Sequence, residues 1–285
     1  MIIHRGEIVA ERDGLRVMDC KACGFSHLDP LPTPAELATF YQNEFWQHVK
    51  NGTRERMDQQ REWWSAIYGD WLTLVSDYVP PNSSLLDVGA GYGNFISAAE
   101  CAGFTASGID PSADVDHFLI WRGAWQDYQR IDRFECVSAL WLIEHLPNPL
   151  EFLRWCRDRL GNDGVLLAVV PNDFNAEQAE ATEDGKALPN YWVDPTHLNY
   201  FTPATFANLL GRAGFRIVER STLYPMELFL KQGHDYTRNE PLGAVCHALV
   251  RQLDLSKDRE MRLREYQELA SVGLGREIVV VAVKE

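Results

Sequence analysis

Basic residues are in short supply. The 285-residue chain carries 27 Lys and Arg against 41 Asp and Glu, a formal net charge of −14. That balance disfavours a partner presenting a continuous phosphate backbone, so no nucleic acid is expected. No stretch approaches the roughly 20 consecutive apolar residues of a membrane span, so no membrane contact is expected. The start, Met1-Ile2-Ile3-His4-Arg5-Gly6, has neither the apolar segment nor the small-residue cleavage site of a secretory signal. A cytoplasmic location follows as the expectation, with the six cysteines reduced. Internal repeats and low-complexity tracts are also missing. Cys101, Cys136, Cys156 and Cys246 stand among apolar neighbours and read as core or near-core thiols.

One cysteine pair is present where a metal ribbon needs two. Cys20-Lys21-Ala22-Cys23-Gly24 can place two thiolates on a tight turn, half of a zinc site, but no second pair follows. His4 and His27 are the nearby substitutes, and their spacing fits no usual pattern. The expectation is no bound metal and a small β-turn unit over residues 1–30. After the turn-rich Asp29–Pro34, Thr33 caps a helix with Pro34 at its first position and Glu36 in its first turn. A second helix, about 54–79, repeats Trp63, Trp64, Ile67, Trp71, Leu74, Val75 and Tyr78 along one apolar face. The aromatics of this region read first as core, and some of Tyr41, Phe45 and Trp46 between the two helices could lid a flat ligand.

From residue 85 strands and helices alternate. Leu85-Leu86-Asp87-Val88 ends a strand and Gly89-Ala90-Gly91-Tyr92-Gly93 turns it into a helix over 94–102. A strand over 104–109 ends at Asp110. A short helix near 112–120, a weak strand near 118–122 and a strand over 134–140 follow. A helix over 149–160 and a strand over 164–170 come next. The segment 172–200 is a long polar and aromatic loop, of the kind that is usually functional. A helix opens at Thr202-Pro203, then come a strand over 215–219, helical sequence over 222–272, and an apolar strand over 277–283. Such alternation builds a doubly wound parallel sheet covered on both faces, with ligands outside the carboxyl ends of its strands.

The glycine loop lacks the third glycine of a dinucleotide fold, since Asn94 stands there, and it lacks a Gly-Lys-Ser/Thr phosphate loop. Two acids remain. Asp87 can meet a cationic or N–H-rich group, and Asp110 can accept from two ribose hydroxyls. That pair fits S-adenosyl-L-methionine (SAM), whose product is S-adenosyl-L-homocysteine: it has a ribose and a cationic tail, and no phosphate.

Leu85–Phe95 resembles motif I of class I SAM-dependent methyltransferases, and Gly108-Ile109-Asp110-Pro111-Ser112 resembles their ribose-binding acid motif. Glu144-His145-Leu146 and His197–Thr202 with Ala213-Gly214-Phe215 are similar to later motifs of the small-molecule branch. The Cys20–Cys23 run resembles a partial zinc ribbon that precedes some such enzymes, often ones acting on sugars or surface glycans; the missing first pair departs from that pattern. The resemblance implies a Rossmann-like seven-stranded sheet with the last strand antiparallel. It implies an N-terminal β/helical extension over 1–52, a methyltransferase domain over 53–285, and a helical insertion or cap over 222–272. It implies that Gly89, Ala90 and Gly91 line the methionine part of SAM and that Asp110, with Pro111, binds the ribose. Leu140 and Trp141 would flank the cofactor, and Ala124 and Trp125 would stand in the adenine loop.

A hydroxyl acceptor needs a proton taken away, a role that suits histidine. His197, with Asp194 near to orient it, is the expected base or substrate ligand, and His145 is second. Each has a plainer alternative, a hydrogen bond that pins a loop or a helix start. The expected function is O-methyl transfer to a small hydroxyl-bearing molecule, a saccharide or glycan precursor among the possibilities. The rival is a SAM-binding fold that senses or binds a partner without turnover. The 222–272 insertion offers an acceptor cap or a homodimer face.

Overall fold

A computed structural model describes residues 3–40, 53–111 and 117–285. Tyr41, Phe45, Trp46 and most of the helix expected at 112–120 lie outside the described residues. The N-terminal strands β1 (Gly6–Arg12), β2 (Leu15–Cys20) and β3 (Phe25–Leu28) form an antiparallel meander. Helix α1 (Pro34–Phe40) opens on the expected Thr33 cap, with Glu36 and Thr33 bonded reciprocally. The single helix expected over 54–79 is instead α2 (Thr53–Gln59) and α3 (Arg61–Ser76), broken at Gln60. Strand β4 (Ser84–Val88) leads through the glycine turn into α4 (Asn94–Cys101), and β5 (Thr105–Asp110) and β6 (Ile120–Arg122) follow. Strand β7 (Phe134–Leu140), α5 (Pro149–Arg159) and β8 (Leu160–Pro171) complete the central pair. Strand β8 starts earlier than its apolar run, because Leu160 already pairs with Phe134.

The stretch 172–200, expected as a loop, carries α6 (Ala176–Glu183) and β9 (Asn199–Tyr200). Strand β9 completes the N-terminal sheet: Ser26 pairs with Tyr200 and His27 with Asn199. Residues far apart in sequence thus share one small four-stranded sheet, and the N-terminal strands hold the segment that contains His197. Helix α7 (Pro203–Ala213), β10 (Phe215–Ser221), α8 (Glu227–Lys231), α9 (Glu240–Leu255), α10 (Arg259–Ser271) and β11 (Glu277–Lys284) finish the chain.

The main sheet has seven strands in the order β10-β11-β8-β7-β4-β5-β6, with β11 antiparallel to both neighbours. The last strand therefore lies inside the sheet, as its unbroken apolar run requires. Two apolar layers cover the sheet. One comes from α5 and α7 through Phe152, Cys156, Phe206 and Leu210. The other comes from α3 and α4 through Trp71, Val75, Phe95 and Ile96. Cys136, Cys156 and Cys246 are buried as expected, whereas Cys101 is exposed. It stands in the last turn of α4, on the face turned away from the sheet, where the helix stripe and not the local apolar composition sets burial.

The insertion is clamped to α3 by a buried polar cluster. Arg262 meets Asp70 through two bonds of 2.8 and 2.9 Å, and Trp63 donates to Asp254 at 2.7 Å. Among the described residues no helix is long and apolar enough to cross a membrane.

Candidate active site

Strands β4, β5 and β7 are neighbours, so their carboxyl ends bring Asp87, the glycine turn, Asp110 and Leu140-Trp141 into one place. The turn is held by its own backbone: the N–H groups of Gly89 and Ala90 both donate to the Ile109 carbonyl. Gly91 has φ +52, and nothing lies within 4 Å of the place a Cβ would take. That open concavity is a cradle a ligand can enter without meeting a side chain. Its N–H donates to Asp110 Oδ2 at 2.8 Å, which aims this buried carboxylate along the cradle's rim. Pro111 is exposed beside it.

Asp87 is buried and accepts from the Ser138 hydroxyl at 2.7 Å. Burial, which outweighs that bond, pushes its carboxyl up to about 7, with the Asp110 charge adding to the rise. A cationic group arriving at the cradle would favour its charged form. The Gly123 N–H donates to the Asp110 carbonyl, which brings Ala124 close to Asp110. The Trp125 ring packs edge-on against Phe152 and Trp155, so its side chain belongs to the α5 contact. The open Gly91 cradle, an acid on its rim and a buried acid behind it are what a phosphate-free ribosyl sulfonium requires.

Trp141, at the end of β7, is tied through Glu277 to a second space. Trp141 holds φ +50 just after β7, a conformation most side chains avoid. Its ring packs on Trp64 and Trp71, and its indole N–H donates to Glu277 at 3.0 Å. Leu142 lies against Gly89. The second space is a cavity of about 440 Å³ lined by Arg12, Asp173, Tyr191, Trp192, His197, Glu227, Tyr236, Arg276 and Glu277, among others. Phe174 and Asn190, beside it in sequence, also have positive φ.

This second space is short of hydrogen. Asp173 Oδ2, Glu227 Oε2 and His197 Nδ1 are buried without a hydrogen-bond partner, and so are both carboxyl oxygens of nearby Glu144. Burial raises the carboxyls of Asp173 and Glu144 well above the usual range, and pushes Glu277 up to about 7. Burial lowers His197 to about 4; the neighbouring His145 adds to that and Asp194 opposes it. His197 is therefore neutral at ordinary pH.

The structure brings the two expected histidines together, with ring centroids 5.0 Å apart. His145 Nδ1 donates to the Thr196 carbonyl at 2.7 Å, the kind of backbone bond weighed as its plainer alternative. Asp194 does not hydrogen-bond the His197 ring. Its Oδ1 accepts from the Thr196 N–H and hydroxyl, an Asx-type turn that uses up the side chain locally. Asp173, Glu227, Glu277 and Tyr236 were not legible as site residues, whereas Tyr191 and Trp192 stand in the aromatic run around His197 that suits a ring-bearing acceptor. The one available signal was an acid inside an apolar run, Glu227 in Tyr224–Leu230.

Two groups of side chains among the described residues bring ligand-type atoms within 4.8 Å of one another: Glu144 with His145 and His197, and His4 with Cys20, Cys23 and His27.

Two outcomes follow from this geometry. Asp110→Ala removes the acceptor for the Gly91 N–H and the one expected for ribose; hydrogen bonds to a charged group contribute about 1.5–3 kcal/mol, so SAM affinity should fall roughly 10–100-fold by calorimetry. An unchanged Kd would remove Asp110 from the site. For Glu277 the folded pKa of about 7 lies above its ordinary value of 4.5. The folded state then binds more protons than the unfolded one between those values, so stability falls as pH rises through that window. Glu277→Gln, which can still accept from Trp141, should flatten the slope and be the more stable protein at pH 8, by up to about 3 kcal/mol in urea unfolding at 1.4 kcal/mol per pKa unit. Equal slopes for both proteins would contradict the assigned shift.

A family model described as a methyltransferase domain matches residues 57–220. The fold is also that of solved methyltransferases. The Burkholderia thailandensis 1,6-didemethyltoxoflavin-N1-methyltransferase, solved with its substrate and S-adenosylhomocysteine, is 14% identical, covers 98% of this chain and 99% of its own, and gives a TM-score of 0.52. A SAM-dependent methyltransferase of Thermotoga maritima, titled a possible histamine N-methyltransferase, is 16% identical over 85% of this chain and 98% of its own, with a TM-score of 0.52. A SAM-dependent methyltransferase of Archaeoglobus fulgidus is 18% identical over 78% and 94%, with a TM-score of 0.50. No curated protein matches significantly. The cradle, the two acids and the matched segment agree: the chain belongs to the methyltransferase-domain family, as a class I enzyme fold whose cofactor is S-adenosyl-L-methionine.

Proposed function

We propose that the protein methylates a small, hydroxyl-rich acceptor of the saccharide type, held in the cavity beyond Trp141. The observation that carries this reading is the set of buried oxygens and nitrogen without partners: Asp173, Glu227 and His197 line a cavity that Glu277 ties to Trp141 at the end of β7. Buried acceptors are costly unless partnered. A polyol supplies several O–H donors at once, and Tyr191, Trp192 and Tyr236 add ring surface for its apolar face. Bound SAM supplies an electrophilic methyl group. The chain's part is to align the acceptor, exclude water and take the proton that the hydroxyl loses. That proton becomes strongly acidic as its oxygen gains the methyl group, so a neutral imidazole of low pKa can accept it; His197 is assigned that role, with His145 behind it.

A second reading is favoured by the same acids. Asp173, Glu227 and Glu277 outnumber Arg12 and Arg276 in the cavity lining, so a protonated amine would also be held, and would lose its proton to a carboxylate before N-methylation. Methyl-labelled SAM with panels of sugars, phenols and amines decides the matter. Label in the sugars supports the first reading, and label only in amines supports the second. SAM binding without label in any panel would favour a sensor or partner-binding role and sink both.

A further inference from the structure

We propose that His4, Cys20, Cys23 and His27 hold one tetrahedral zinc ion, and that this ion fastens the N-terminal sheet to the segment carrying His197. The sequence alone spoke against it, since half of a ribbon is missing. Folding supplies the other half with two imidazoles. Strand β2 ends at Cys20, the turn returns Cys23, β3 carries His27, and the residues ahead of β1 bring His4 alongside.

The distances match a metal better than a hydrogen-bond network. His4 Nδ1 lies 3.0 Å from His27 Nε2, 3.4 Å from Cys23 Sγ and 3.6 Å from Cys20 Sγ. One ring nitrogen offers one hydrogen or one lone pair, so it cannot satisfy three partners. With Zn–N near 2.0–2.1 Å and Zn–S near 2.3 Å, a tetrahedron has edges of about 3.3 Å between nitrogens and about 3.6 Å between nitrogen and sulfur. His27 is also prepared as a ligand. Its Nδ1 donates to the Leu28 carbonyl at 2.7 Å, which leaves a lone pair on Nε2 aimed at the cluster. Cys20 and His27 are buried, whereas Cys23 is only half-buried and leaves the ion a route in. Two thiolates and two imidazoles in tetrahedral array select zinc over harder divalent ions.

The site has a structural purpose here. Strand β3 pairs through its other edge with Asn199 and Tyr200, and the Leu28 N–H donates to the Leu198 carbonyl at 2.9 Å. A closed four-ligand ion at the β2–β3 turn therefore stiffens the edge on which His197's neighbours are hung. The inference does not depend on what the acceptor is.

The full-length protein, purified reduced and without added metal, should contain about one zinc per chain by elemental analysis. Replacing zinc with cobalt should give the intense visible d–d bands of a tetrahedral ion together with thiolate-to-cobalt charge transfer. A Cys20→Ser/Cys23→Ser double variant should lose both signals, and His4→Ala should release zinc to a chromogenic chelator at least about tenfold more readily. Hydrogen exchange over 198–201 should quicken when the wild-type protein is stripped of metal. Reduced wild-type protein that takes up neither zinc nor cobalt would overturn the proposal, whatever the variants do. So would a cobalt spectrum that survives in the double variant.

Discussion

His197→Ala should lower kcat about 10²–10⁴-fold, the range a positioned acid–base group contributes, while SAM affinity stays within about threefold of the wild type. The cofactor cradle is built from β4, β5 and β7, and His197 hangs from the other sheet, so the two quantities separate. The pH profile adds a second readout. With His197 lowered to about 4, the neutral form prevails at every pH above that, and kcat/KM should be flat from roughly pH 6 to 8. A limb near 7 would point instead to Asp87 or Glu277, whose carboxyls are both raised to about 7. His197→Ala with full turnover on the true acceptor would end the assignment, and would leave the histidine as a loop anchor beside His145.

Arg262→Met should destabilise the protein by up to about 3–5 kcal/mol, the cost of removing one partner of a buried ion pair. For a chain of this size that is a drop in Tm of roughly 10 °C. Both guanidinium bonds to Asp70 are lost, and Asp70 remains buried between α3 and α10 with the exposed Arg259 guanidinium, 3.6 Å away, as its remaining cation. Arg262 also donates to the Asp254 carbonyl, so α10 loses one of its ties to α9, while Tyr266 still donates to the Asp254 carboxylate. Asp70→Leu combined with Arg262→Met should recover much of the loss, since a well-packed apolar pair avoids the stranded charge. A single variant as stable as the wild type would mean that water reaches the pair. The effect should extend to turnover: α10 runs into the loop before β11, where Asn172 holds the Gly273 and Gly275 carbonyls, and that loop delivers Arg276 and Glu277 to the cavity.

The donor side was legible because it is local. Asp87, Gly89, Ala90, Gly91 and Asp110 lie at the ends of two adjacent parallel strands, so their spacing along the chain carries most of their geometry. The order of strands and helices was legible for the same reason, and the apolar run over 277–283 announced an interior strand. The helix broken at Gln60, the α6 turn inside 172–200 and the exposure of Cys101 were not, since local periodicity does not register a break or the orientation of a short helix.

The acceptor side was legible only as a region. Asp173, Tyr191, Glu227 and Glu277 come from four separate segments, and each looks ordinary among its neighbours. The unpaired buried oxygens of Asp173 and Glu227 arise from convergence, which no spacing rule encodes. The same holds for His4 and His27, whose separation matched no ligand pattern until β1, β2 and β3 folded back on one another.

For this protein, then, the amino-acid order alone determined the fold class, the glycine cradle and the cofactor, because a parallel strand-turn-helix unit stores its ligand chemistry within a few consecutive residues. Tertiary structure decided the lining of the acceptor cavity, the pairing of His145 with His197, and the gathering of two cysteines with two histidines. Those features depend on strand order and on side chains meeting across large sequence separations, and burial then sets their pKa values and their hydrogen-bond deficits.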